Sequence, residues 1–215
     1  SPFFLGNTMT NIIARYSAIL LVACCGFGGV LLFHSTGTDP LSAETTESFA
    51  FDAEAFSEQD FGQCGTRAGT FIEADGFHVP PGDVLLFGGD LTNFGSQSDV
   101  ARFDQWLAEL PHRHKFVIAG NHDYPFENDA NLLRHATYLQ DQLVEVEGLS
   151  IYGSPWQPIF CRMAFNLSAP QLKERWSQIP QPLDILITHG PPRGVLDCTD
   201  RGARGGCEQL APRVA

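Results

Sequence analysis

From residue 78 onward, apolar residues come in short runs separated by amphipathic stretches, the alternation expected of sheets covered by helices. Val84–Phe87 (VLLF) is a continuous apolar run closed by Gly88 and Gly89, which predicts a buried strand running into a tight loop. Ser98 is placed to cap a helix whose apolar positions Val100, Phe103, Leu107 and Leu110 follow helical spacing, and Pro111 ends it. Residues 116–119 (FVIA) predict the next strand. Residues 143–146 and 149–152 flank Glu147 and Gly148 and read as a hairpin. Ser168, with Pro170 in the first turn, opens a second helix through Leu172, Arg175, Trp176 and Ile179, and Ile185–Thr188 (ILIT) is a third buried strand.

Upstream the texture is different. Residues 17–33 (SAILLVACCGFGGVLLF) carry no charge and follow Arg15, so they read as a signal peptide or short membrane anchor, with residues 21–24 resembling a lipoprotein cleavage box. Residues 34–64 hold Asp39, Glu44, Glu47, Asp52, Glu54, Glu58 and Asp60 without a Lys or Arg, the composition of a flexible acidic linker. Phe49, Phe51, Phe56 and Phe61 recur in it as docking candidates. Three regions are therefore expected: 1–33 as signal or anchor, 34–64 as linker and 65–215 as a globular domain. The compartment follows from the first region: membrane-anchored or exported if it is genuine, cytoplasmic otherwise.

The formal charge of −12 argues against a nucleic-acid surface, since phosphate backbones are held by Lys and Arg. A small or metal-masked anion is still compatible with it. Six cysteines show no CxxC pair and no His at zinc-finger spacing, so they read as free thiols; Cys198 and Cys207 are close enough in sequence to pair if the domain is exported. Neither GxSxG nor HExxH occurs, which removes serine-hydrolase and zincin chemistry. His78, His112, His114 and His135 read as surface or loop residues, Trp106 and Trp176 as helix packing, and Trp156 as a residue shaping a cleft.

The three buried strands share one feature: each delivers polar residues at its carboxyl end. Asp90 follows the first, Asn121, His122 and Asp123 the second, and His189 the third. In open α/β sheets ligands bind beyond those ends, so residues from separate strands converge there. Singly, Asp90 is a turn cap, Asn121 a left-handed turn residue and His189 a core histidine. Together, carboxylate, amide oxygen and imidazole form a ligand set for a hard or borderline divalent cation, and the lack of thiolate favours manganese, iron, zinc or magnesium over copper.

GGDLT, GNHD and THGPP, in that order, are similar to the second, third and fourth motifs of calcineurin-like metallophosphoesterases. GSPWQP at 153–158, FNL at 165–167, DILITHGPP at 184–192 and GCEQL at 206–210 resemble the metallophosphoesterase-domain-containing group, over about residues 74–215. The resemblance implies an αββα sandwich of two sheets flanked by helices, incomplete at its carboxy-terminal end, with a dinuclear metal site that hydrolyses phosphodiesters or phosphomonoesters. It implies Asp90 as bridging metal ligand, Asn121 and His189 as ligands of the second metal, and His122, oriented by Asp123, as the catalytic histidine. The metals would be divalent ions, manganese first among them, and the partner a small phosphate ester.

Two departures stand out. The positions that match the family's first motif, Asp-x-His, hold Gly69, Thr70 and Phe71, and the last motif would lie past Ala215. The alternative reading is therefore a catalytically impaired module, or a gene fragment, that keeps the fold without its first metal.

Overall fold

The computed structural model describes the backbone of residues 20–23, 30–36 and 48–51, and residues 79, 82–93, 95–159, 161–195, 197–198 and 202–214. Its strands are β1 (Leu20–Ala23), β2 (Val30–Thr36), β3 (Ser48–Phe51), β4 (Val84–Phe87), β5 (His114–Val117), β6 (Thr137–Tyr138), β7 (Gln142–Val146), β8 (Leu149–Ser154), β9 (Gln157–Pro158), β10 (Asn166–Leu167) and β11 (Ile185–Thr188). The helices are α1 (Gln97–Glu109), α2 (Ala169–Ser177) and a short α3 (Ala211–Val214). Among the described residues the strands form one sheet of order β3-β2-β4-β5-β6, a second of order β1-β11-β8-β7, and a small β9–β10 ladder.

The sandwich follows from alternation within the apolar runs. Val84 and Leu86 of β4 join Phe116, Ile118, Ile151, Ile185 and Ile187 in one buried cluster, which is the layer between the two sheets. Leu85 and Phe87 point the other way and pack with Val100, Phe103 and Leu107 of α1. On the second sheet, Tyr152 and Leu186 pack with Leu172 and Trp176 of α2. A strand buried on both faces has no polar side to show, which is why VLLF and ILIT read as unbroken apolar runs. Each fully buried Leu, Ile or Phe contributes about 1.5–3 kcal/mol relative to exposure. The result is helix, sheet, sheet, helix: the mixed α/β sandwich the sequence predicts.

Element boundaries moved where local hydrogen bonding outweighed the apolar pattern. Helix α1 starts earlier than Ser98 because Ser96 is the cap: its hydroxyl accepts from the Asp99 N–H at 3.0 Å. Ser168 caps α2 as expected, and Gln171 reaches back to its backbone N–H at 3.0 Å. Strand β5 ends at Val117, but Ile118 N–H still bonds the Phe87 carbonyl at 3.1 Å, so the polar residues keep their place after the strand. The β7–β8 hairpin turns on Glu147 and Gly148, both at positive φ (49° and 77°), the geometry of a type I′ turn. His112, expected at the surface, is buried at 3% exposure.

The stretches assigned to an anchor and a linker also carry strands. The 17–33 run is broken by Gly26, Gly28 and Gly29 into two shorter apolar pieces; β1 pairs parallel with β11, and β2 pairs antiparallel with β4 and β3. Residues 24–29 between them, the remainder of the linker, and positions 69–71 lie outside the described residues. No helix among the described residues is long and apolar enough to cross a membrane.

Candidate metal centre

β4 and β5, parallel neighbours in one sheet, and β11 of the other place the three polar loops together at their carboxyl ends. Asp90 follows Gly89 in the left-handed region (φ 59°), a conformation Asp tolerates better than most residues and one that turns its side chain back across the sheet edge. Its Oδ1 accepts from the His122 N–H at 3.2 Å and lies 3.5 Å from His189 Nε2. His189 is buried, and its Nε2 lies 2.9 Å from Asn121 Oδ1. The structure thus brings Asp90, Asn121 and His189 to a common point.

The closeness depends on Gly120. A Cβ there would lie 2.2 Å from Asp90 Oδ1 and 2.6 Å from His189 Cε1, inside any allowed contact.

Asp123 is buried in the same region and ties the two loops together. Its carboxylate accepts from the N–H groups of Leu91 (3.1 Å), Thr92 (2.9 Å) and Gly120 (2.7 Å), and the Thr92 hydroxyl lies 3.0 Å away. Burial pushes its pKa up to about 6, with the negative charge of Asp90 adding to the rise and the three backbone bonds opposing it. The ring of His122 has a backbone partner. Its Nδ1 lies 2.5 Å from the Asn93 carbonyl oxygen, so a backbone acceptor orients it, while the Asp123 carboxylate is taken up by the loop backbones. A ring bonded this way holds its Nδ1–H on the backbone and turns Nε2 away from that carbonyl.

The donor set passes a simple test for a cation. His189 Nδ1 faces the Gly88 carbonyl at 3.0 Å and so carries the ring proton, which leaves a lone pair on Nε2. The Asn121 Nδ2 donates to Met163 Sδ at 3.0 Å, which turns Oδ1 toward that lone pair. Nε2 and Oδ1 lie 2.9 Å apart with a carboxylate oxygen at 3.5 Å, a spacing that either an Nε2 proton or a bound cation satisfies. Bonds of about 2.0–2.2 Å at 90–110° separate neighbouring donors by about 2.8–3.6 Å, so the spacing fits a small divalent ion. The set is one carboxylate, one imidazole and one amide; no group of three His, Cys, Asp or Glu gathers among the described residues. Size does not mark this place: a cleft of about 720 Å³ between α1 and residues 125–135 shares no residue with it.

Three contributors had no motif to announce them. Thr92 and Asn93 were visible only as part of GGDLT and the residue after it. Met163 carries no motif at all, because its contact is a thioether reached through the 157–166 loop. Trp156 stands at the base of that loop. Its indole N–H donates to Asp141 at 2.7 Å, its ring packs on Phe165 at 5.4 Å, and Arg175 lies over it at 4.8 Å, so it couples α2 to the loop.

With this geometry in hand, comparison with known proteins is decisive. The model of the calcineurin-like phosphoesterase family matches residues 67–214. The chain belongs to that family. Members of this family generally use divalent metal ions. The chain is 42% identical over 174 residues to metallophosphoesterase domain-containing protein 1 of Homo sapiens, covering 67% of the chain and 53% of the relative, with the same figures for the Mus musculus protein. It is 36% identical over 170 residues to a UPF0046 protein of Caenorhabditis elegans, covering 63% of the chain and 43% of that protein. The chain therefore spans about half the length of the curated relatives it matches.

Proposed function

We propose that this chain carries a metal-dependent phosphoesterase centre that hydrolyses phosphodiesters or phosphomonoesters. The observation that carries the reading is the part-buried meeting of three electron-pair donors: Asn121 Oδ1 and His189 Nε2 at 2.9 Å with Asp90 Oδ1 beside them. Asp90, Asn121 and His189 would hold the cation, and Asp90 is the donor placed to share a second one. Manganese is the first choice on donor hardness, with iron, zinc and magnesium compatible.

Bound divalent metal supplies Lewis acidity toward a phosphoryl oxygen and lowers the pKa of water. The chain's own residues do the rest. Asp123 locks the Asp90 and Asn121 loops at fixed separation through its backbone bonds, so the donors need little rearrangement. His122, with Nδ1–H held by the Asn93 carbonyl, would act in its doubly protonated form, giving the Nε2 proton to the departing ester oxygen and returning to the neutral ring. The residues stand in short loops directly after β4, β5 and β11, tied to one another by the Asp123 bonds, which favours precise placement.

A second reading, a phosphoesterase fold kept as a catalytically impaired module, is favoured by one observation: Gly69, Thr70 and Phe71 stand where the family's first motif has Asp and His. The two readings separate in a single assay. Manganese-dependent hydrolysis of bis(p-nitrophenyl) phosphate by the chain, lost by at least about tenfold in both Asn121→Ala and His189→Ala, supports the enzyme. A folded chain without hydrolysis supports the impaired module.

A further inference from the structure

We propose that Met163 is a positioning residue for the metal centre, its thioether selecting the orientation of the Asn121 amide that turns Oδ1 toward Asp90 and His189. This rests on the reading of those three side chains as cation ligands.

An Asn amide has two orientations related by a half-turn, nearly equal in shape and opposite in chemistry. In one, Oδ1 offers a lone pair to the centre. In the other, Nδ2 points there, donates to His189 Nε2 and occupies both ligands with each other. The neighbour on the far side decides between them. Met163 Sδ has no hydrogen and can only accept, and it receives the Asn121 Nδ2 at 3.0 Å. The half-turn would set the amide oxygen against the sulfur lone pairs, so Met163 disfavours the orientation that closes the site.

The thioether is delivered to this spot by built structure. Ala164 N–H bonds the Asn121 carbonyl at 3.1 Å, anchoring the residue after Met163 to the same Asn that Met163 serves. Phe165 N–H bonds Glu127 at 2.9 Å, and Gln157 N–H bonds the Phe165 carbonyl at 3.0 Å, closing the loop at its base. Cys161, Arg162 and Phe165 all take positive φ (48°, 53° and 56°), a backbone course that L residues seldom adopt without compensating contacts. The half-buried Met163 is thus held at both sides while its sulfur faces the amide.

The test uses the whole chain and two substitutions. Met163→Leu keeps the volume and removes the acceptor; Met163→Gln restores an acceptor of similar reach. First, in metal-free protein labelled at methionine methyls, the Asn121 side-chain amide protons should show a nuclear Overhauser contact to the Met163 methyl. Contact to the His189 Cε1 proton instead, with none to Met163, overturns the proposal. Second, Mn²⁺ alone is titrated into wild type and variants whose thermal midpoints match. Met163→Leu should bind about tenfold more weakly, with most of the loss recovered in Met163→Gln. Unchanged affinity in Met163→Leu overturns the proposal, and so does an equal loss in both variants, which would mark packing rather than acceptance. A wild-type chain that binds no Mn²⁺ removes the metal reading itself and this role with it, an outcome distinguishable from the failures confined to Met163.

Discussion

Gly120 and Asp123 do opposite jobs within four residues. Gly120 lets Asp90 and His189 approach by having no side chain, while Asp123 fills the space behind them and collects the Leu91, Thr92 and Gly120 N–H groups. Replacing Gly120 with Ala drives a methyl to 2.2 Å from Asp90 Oδ1 and 2.5 Å from the Asp90 nitrogen, one of them backbone that cannot swing aside. The variant is expected to lose about 1–3 kcal/mol in denaturant unfolding. Its Mn²⁺ affinity should fall by about tenfold or more, as calorimetry would read it. At this scale Asp90, Asn121 and His189 were legible because each follows an apolar strand, and strand ends are where α/β folds collect ligands. Asn93 and Met163 were not, for a physical reason. One acts through a backbone carbonyl that every residue type possesses, and the other through a thioether whose usual place is a core. Asp123 is a second case: three backbone N–H groups bond its carboxylate, a role that its place beside a histidine in sequence does not show.

At the scale of elements, the apolar runs stood out because strands buried on both faces leave no polar positions to blur them. Boundaries were less legible where a cap or turn decided them: Ser96 rather than Ser98 holds α1, because its hydroxyl reaches the Asp99 N–H. The segment after the His189 motif was unreadable from periodicity and turns out to be pinned by one carboxylate. Asp197 is buried, takes the Arg204 guanidinium at 2.6 Å, and accepts the Gly205 N–H on its carbonyl at 2.9 Å. The Gly194 N–H, and Arg204 after it, hold its carboxyl below the ordinary aspartate value of 3.8. A lowered folded pKa means the contribution is present above 3.8 and is lost as pH falls below it, where the folded state must take up a proton it disfavours. Amide exchange at Gly194 and Gly206 should accordingly speed up below that value in the native chain, beyond the intrinsic pH trend. In Asp197→Asn the extra acceleration should vanish, and identical profiles in the two proteins would contradict this account of the pin.

For the whole molecule, the sandwich layers bring the three strand ends together, with Asp90, Asn121 and His189 beyond them. The match covers residues 67–214, yet β1, β2 and β3 upstream pair into both sheets. That participation was hidden in the sequence because an uncharged run of apolar residues reads equally as a leader and as two short strands separated by glycines. Catalysis and the positioning role of Met163 both depend on Asp90, Asn121 and His189 together holding a cation. The most direct measurement is the electron paramagnetic resonance signal of free Mn²⁺ during titration into the whole chain and into His189→Ala. The native chain should deplete the free signal with saturation, and the variant should require about ten to a hundred times more Mn²⁺ to do so. Equal depletion by both proteins would contradict this expectation.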